Sequence, residues 1–296
     1  MKHAIILLIH QLPEQVNVFI NQLLESTDMD IYIHINTRFD SIREKIIKHE
    51  RVFIADNCVP IYWGDDGIFL AMVNMFRAVL NSGKCYGHVL ICSGQDLLVR
   101  KGIDEFLNDN SERVFLYAYE SDRLRRNYIL HKYPRIFKQL LDKKWDPRKI
   151  LRSFYMRIID KYPSLFLRKI NYDVSQMKFY YSTFWGALPI VVVKDIIERL
   201  DNDKELLNLY KGSFIPEESF LATFVMSSKY KDWLEFNEKG VSSSLTYILR
   251  VENGHPPVIT MNDVKRVEDS KAFFARKFDL RVDSDVVNLF IKKTHN

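Results

Sequence analysis

Apolar positions fall into short, unbroken runs near the start of the chain and into helical stripes between them. "AIILLIH" (4–10) is a fully apolar run of strand length. A polar turn with Pro13 follows, then Val16, Phe19, Ile20, Leu23 and Leu24 recur at helical spacing. "DIYIHIN" (30–36) alternates β-branched and aromatic residues and predicts a second strand. "SIREKIIKHE" predicts an amphipathic helix and "VFIA" (52–55) a third strand. Three strands alternating with helical patterns in so short a stretch imply βαβ units and a parallel sheet. Residues 65–83 then predict a long helix stopped near Gly83, and "HVLICSGQDLLV" (88–99) a buried strand running into a glycine-containing loop.

The second half is less regular. "PRKILRSFYMRIIDKYPSLFLRKI" carries an amphipathic stripe, and "YYSTFWGALPIVVVKDIIERL" (180–200) predicts an aromatic turn, an apolar strand and a helix. Pro216 suits a first helical position, with Phe220, Leu221, Phe224 and Val225 as the apolar stripe behind it. "SLTYILRV" (244–251) predicts a strand, "NGHPP" (253–257) a turn, and residues 263–279 a helix ending in the basic pair Arg276–Lys277.

Composition changes this picture little. The 296 residues allow a large core, and 10 Gly and 9 Pro with no repeat argue against disorder. Cys58, Cys85 and Cys92 are too few and too irregular for a disulfide framework or a zinc site, which fits a reducing compartment. The first apolar run is short, is ended by His10 and lacks a cleavage signal, so it predicts a buried strand rather than a signal peptide. Charge changes more. Residues 121–170 hold 15 Lys/Arg against 4 Asp/Glu, a local +11 in a chain of net +5. Aromatics, Trp145, Phe154 and Tyr155 among them, are interleaved with these cations. The pattern suits docking on an anionic membrane surface, with a solvated face as the bland alternative; nucleic acid is disfavoured.

Candidate chemistry gathers where predicted strands stop, as it does in open parallel sheets. His10, His34, Asn36 and the Ser93–Asp96 loop all lie at such ends. There is no G-x-G-x-x-G, no P-loop, no G-x-S-x-G and no H-E-x-x-H. Three Asp-x-Asp triplets occur (Asp28–Asp30, Asp201–Asp203, Asp283–Asp285), but none follows an apolar strand, where a metal–diphosphate site would need one. Glu217 and Glu218 have two readings: acidic residues at a helix start, or a catalytic base at the mouth of a pocket.

Seven segments, in order, resemble those of the core-2/I-branching glycosyltransferase family, which includes β-1,6-N-acetylglucosaminyltransferases and peptide O-xylosyltransferases. They are "LLIHQ", "YIHIN", "SGQDLL", "YSTFWGAL", "PEESFLAT", "YILRVENGHPPVIT" and "FFARKFD". They cover most of the chain apart from its basic middle. The resemblance implies one GT-A-type domain over 1–296, a nucleotide-binding α/β sandwich with a central, mostly parallel sheet flanked by helices. The basic stretch at about 121–170 would be a partly helical insertion. It also implies inverting transfer from a UDP-sugar, most simply UDP-N-acetylglucosamine, to a glycan or lipid-linked saccharide, with no cofactor and no metal.

Carried over by residue, Glu218 stands at the family's catalytic base and Glu217 beside it. Lys277, with Arg276, stands where positive charge meets the leaving diphosphate. Asp96, Ser93, Gly94, His34 and His10 are expected around the donor, and Trp185, Arg250 and His255 are candidates for sugar or phosphate contacts. Asn36, Leu98 and Leu221 depart from the pattern, replacing an aspartate, a proline and a tryptophan. The anchor, stem and cysteines of the animal enzymes are missing, so the expectation is a cytoplasmic, bacterial-type enzyme, peripheral on the inner membrane and acting in surface-polysaccharide synthesis. The alternative is a non-catalytic membrane- or polyanion-binding protein on a degenerate transferase scaffold.

Overall fold

A computed structural model describes residues 1–138, 146–238, 240–249 and 256–295. Strands β1 (Ala4–Ile9), β2 (Asp30–Ile35), β3 (Val52–Ile54) and β4 (His88–Ser93) lie parallel, as the early apolar runs imply. Directly after β4, the short β5 (Asp96–Leu98) leaves for a second sheet. Strands β6 (Phe115–Glu120) and β7 (Tyr180–Pro189) complete the large sheet, whose order is β3-β2-β1-β4-β7-β6, with β7 antiparallel to both neighbours. Strands β8 (Thr246–Ile248) and β9 (Phe274–Arg276) join β5 in the order β5-β9-β8. The expected central, mostly parallel sheet is present.

Helices cover both faces of that sheet. In chain order they are α1 (Pro13–Ser26), α2 (Gly67–Asn81), α3 (Ile103–Asp109), α4 (Asp122–Leu130), α5 (Arg135–Lys138) and α6 (Pro147–Lys161). Then come α7 (Ile190–Asn202), α8 (Lys204–Tyr210), α9 (Phe220–Met226), α10 (Val264–Asp269) and α11 (Ser284–Thr294). Strand β1 is buried on both sides, which explains its unbroken apolar run. Ala4, Ile6 and Leu8 share one core with Phe69, Met72 and Phe76 of α2 and Val193 and Ile196 of α7. Ile5, Leu7 and Ile9 share the other with Val16, Phe19 and Ile20 of α1 and Val287 and Phe290 of α11. Each such side chain contributes roughly 1.5–3 kcal/mol by leaving water.

The chain winds from β1 through α1 to β2 on one side, and through α2 to β4 on the other. Strand order therefore reverses between β1 and β4, the place beyond whose carboxyl ends open α/β sheets form their ligand crevice.

Four expectations are corrected. The amphipathic helix expected over 41–50 is absent; a 3-10 helix kinked at Phe39 spans Thr37–Lys45 instead. "YYSTFWGALP" is one ten-residue strand, and "IVVV" opens α7 instead of forming a strand. There, packing of Val192, Val193, Ile196 and Ile197 outweighs β propensity. The helix expected over 263–279 stops at Asp269, and Arg276 ends a strand instead. The helix expected from Pro216 is broken at Ser219 into a 3-10 turn (Pro216–Glu218) and α9.

Candidate active site

At the end of β4 the chain turns sharply into β5, and Asp96 holds that turn. Its Oδ2 accepts from the Ser93 backbone N–H at 2.8 Å and from Trp185 Nε1–H at 2.9 Å; its Oδ1 accepts from Ser93 Oγ–H at 2.8 Å. Arg276 lies opposite in the β5–β9 ladder, its Nε 3.2 Å from Asp96 Oδ1. The Arg276 guanidinium stacks 3.5 Å above the Trp185 ring centre. Burial pushes the Asp96 carboxyl above its ordinary range, against the pull of Arg276, Ser93 and Trp185. Both Asp96 oxygens are occupied by the protein, so its part in any site is to fix the loop and its two neighbours.

Trp185 reaches Asp96 because β7 bulges. Leu116 pairs with Gly186 but Ala118 with Ser182, so residues 183–185 stand out of the ladder. Gly94 is needed for close packing: a Cβ there would lie 2.6 Å from Val16 Cγ2 of α1. On the far side of the loop, Phe278 N–H donates to Gln95 O at 2.8 Å and the Lys277 carbonyl accepts from Ile259 N–H at 2.7 Å. These bonds stitch half-buried Lys277 beside the Ser93–Asp96 loop, at the carboxyl end of β4.

His34 and Asn36, on and just beyond β2, are committed to the backbone. His34 is fully buried and its Nε2 accepts from Val59 N–H at 2.8 Å. Burial, with a smaller push from Arg43, lowers its pKa to about 4, so the ring is neutral at physiological pH. Asn36 Nδ2 donates to Ile61 O at 2.9 Å, while its Oδ1 accepts from Ile61 N–H at 3.0 Å. An aspartate cannot make that two-way bond, which accounts for the amide here. His10 is exposed at the end of β1, its ring 6.0 Å from that of Phe39.

The two glutamates sit on the 3-10 turn that follows Ile215. Ile215 is left-handed (φ 48°, ψ 53°), a costly conformation for a β-branched residue, of order 1–3 kcal/mol. The turn sends the carboxyls into different surroundings. Glu217 is 6% exposed, and its Oε2 is buried without a hydrogen-bond partner among the described residues. Burial, reinforced by Glu218 and Asp65, raises its pKa well above the ordinary range. Glu218 is about a third exposed and accepts from Arg125 Nη1–H at 2.8 Å. Its pKa is also raised, burial outweighing the attraction of Arg125. One turn thus presents a buried carboxyl pushed toward its neutral form and, beside it, a more open one paired with a cation.

Arg125, on α4, is the residue that sequence reasoning missed. Its side chain is buried, with the guanidinium 4.4 Å from the Tyr181 ring centre and 5.1 Å from that of Tyr128. The available signal was spacing: Arg125 lies one helical turn before buried Ile129. Arg250, His255 and Trp145 lie outside the described residues.

The Asp-x-Asp triplets have structural work. Buried Asp30 pairs with Lys2 and Lys84, Asp201 with Arg77, and Asp203 and Asp283 cap α8 and α11. Among the described residues no group of three or more His, Cys, Asp or Glu side chains is placed to hold a metal ion, and no helix is long and apolar enough to cross a membrane.

No protein-family model and no curated protein matches the chain. Among solved structures it is similar to the mannosyltransferase Ktr4p of S. cerevisiae, at 14% identity and TM-score 0.31, covering 75% of this chain and 66% of that one. The GDP complex of Ktr4p aligns at 12% identity and TM-score 0.29 over the same shares. Mouse xyloside xylosyltransferase 1, in its apo form, aligns at 8% identity and TM-score 0.37, covering 78% and 83%. At that closeness these likenesses carry nothing over to individual residues. The chain spans just under two thirds of the length of Ktr4p.

Proposed function

We propose that the chain is an inverting glycosyltransferase of GT-A type, moving a sugar from a UDP-sugar to a glycan hydroxyl with Glu218 as base. The observation that carries this reading is the divided turn at 216–218. Two adjacent carboxyls whose surroundings differ so strongly mark an acid–base site more than a helix start. The 3-10 turn and the break at Ser219 also weaken the helix-start explanation, since neither acid lies within α9.

Each residue's task follows from its surroundings. A sugar hydroxyl is a poor nucleophile until its proton is removed. Glu218 takes that proton as the hydroxyl oxygen bonds to the anomeric carbon, and the bond from that carbon to the diphosphate oxygen breaks with its electrons leaving on UDP. Burial makes Glu218 a stronger base than a free carboxylate, and Arg125 favours its ionised form. Lys277, at the carboxyl end of β4, offsets the charge gathering on the leaving diphosphate. Arg276, locked against Asp96 and Trp185, fixes the strand that carries Lys277. With these cations in that role no metal is required. Among donors, UDP-N-acetylglucosamine is the one the sequence resemblance favours.

Two measurements test this reading. UDP and UDP-sugars in excess EDTA should raise the melting temperature by mass action; no shift with any nucleotide would favour the non-catalytic alternative, and a shift only with added metal would remove Lys277 from its role. Glu218→Gln should lower transfer about 10²–10⁴-fold while leaving the UDP-induced shift intact. Wild-type turnover in that variant would exclude Glu218 as base.

A further inference from the structure

The basic stretch is built the opposite way round from a soluble protein's surface. Several of its cations are turned inward: Arg125 to Glu218, Arg126 to Asp122, and Arg168 to the carbonyls of Ile129 and Leu209. Arg152, on the inner face of α6, lies 4.4 Å from the Trp63 ring centre. The outer face of α6 is apolar instead, with Ile150 64%, Leu151 56% and Phe154 62% exposed. These three are neighbours at helical spacing, and Leu165, Phe166 and Leu167 are exposed just beyond the helix. Exposed Arg157 and Lys161 continue the same face toward its carboxyl end, where exposed Asp160 is paired with Arg123. Beside it lies a cleft of about 670 Å³ lined by Lys132, Tyr155, Arg168 and Lys169 among others.

We infer that this face docks on an anionic lipid bilayer, α6 lying in the interface with Ile150, Leu151 and Phe154 among the acyl chains and the cations beside them against lipid phosphates. An in-plane helix needs one apolar face and flanking Lys/Arg, and both are present. Charge decides against a second copy of the chain. A two-fold contact would set exposed Lys132, Arg157, Lys161 and Lys169 against their own copies, whereas an anionic bilayer is their complement and demands no matching shape.

The face also adjoins the candidate site. Arg152 and the ring of Tyr133 lie against Phe214, Phe214 packs edge-on to Tyr128, and Tyr128 lies under Arg125, the partner of Glu218. Resting on the transferase reading, this placement names a lipid-linked saccharide as the acceptor class, because docking brings Glu218 near the bilayer surface.

Co-sedimentation with vesicles tests the docking itself. Wild-type protein should pellet with phosphatidylcholine–phosphatidylglycerol vesicles, weakly or not with phosphatidylcholine alone, and less as salt is raised. The exposed triple variant Ile150→Ser/Leu151→Ser/Phe154→Ser should lose about tenfold or more in vesicle affinity while keeping the wild-type melting temperature. The inference is overturned if wild-type protein ignores anionic vesicles, or if the triple variant binds them as well as wild type. It is equally overturned if sedimentation equilibrium shows a dimer that the triple variant disperses and neither protein binds lipid. Binding to heparin in place of lipid, unaffected by the triple substitution, would assign the face to a soluble polyanion. A UDP-induced melting shift, measured on both proteins, reports the donor site independently, so failure of docking and failure of the transferase reading are told apart.

Discussion

Arg125 sets the working range of Glu218. Burial pushes the Glu218 carboxyl up and the guanidinium pulls it back. Replacing Arg125 with Met keeps the bulk near Tyr128 and Tyr181 but removes the pull, so the Glu218 pKa must rise. A base is active above its pKa; with Glu218 as the proposed base, the acidic limb of the kcat/KM profile should therefore move to higher pH in Arg125→Met. An unmoved limb would separate Arg125 from the base. The composition of 121–170 hid this residue, because a run of like charges reads as surface and spacing alone cannot say which long side chain turns inward. Glu217 and Glu218 were visible in the sequence, but their separation into a buried and a paired carboxyl depends on the left-handed Ile215, which no local pattern announces.

At the scale of elements, continuous apolar runs made β1 and β4 legible, since strands buried on both faces have that signature, while alternating β-branched and aromatic residues revealed β2. The same signature misled at "IVVV", because a short apolar run does not distinguish a strand from a buried helix turn. It also hid β9, where Arg276 looked like part of a basic helix end although its backbone pairs opposite Asp96 in a ladder. Asn36 ties β2 to the following loop through both atoms of its amide. Asn36→Asp would lose the donor and set a carboxylate against the Ile61 carbonyl. The loss should be about 1–3 kcal/mol, read as a lower urea midpoint at neutral pH. An unchanged midpoint would show that the loop is held by other contacts.

For the molecule as a whole, Glu217 ties stability to pH. Its folded-state pKa lies well above its unfolded value, so between the two the native state holds a proton that the unfolded chain has lost. Stability should be full below the unfolded pKa, near 4.5, and fall as pH rises toward the folded value. Glu217→Gln, uncharged throughout, should match wild type in mild acid and melt higher at neutral pH. Equal melting temperatures across that window would mean that Glu217 is ionised in the folded protein. The parallel half of the sheet was readable from sequence, whereas the insertion of antiparallel β7 between β4 and β6 was not. Strand order arises from packing between distant segments, and its record in any one segment is faint.

The two ends of the Asp96–Arg276 pair are made at very different times. Strands β1 to β4 leave the ribosome together, with Asp96 close behind. Its counter-ion follows only 180 residues later. Until then the growing chain can lay down its first parallel strands but cannot seal the turn that follows them, and the small sheet is among the last parts to close. A product released early would keep the fold's beginning and present an apolar pocket holding a carboxylate with no cation to meet it.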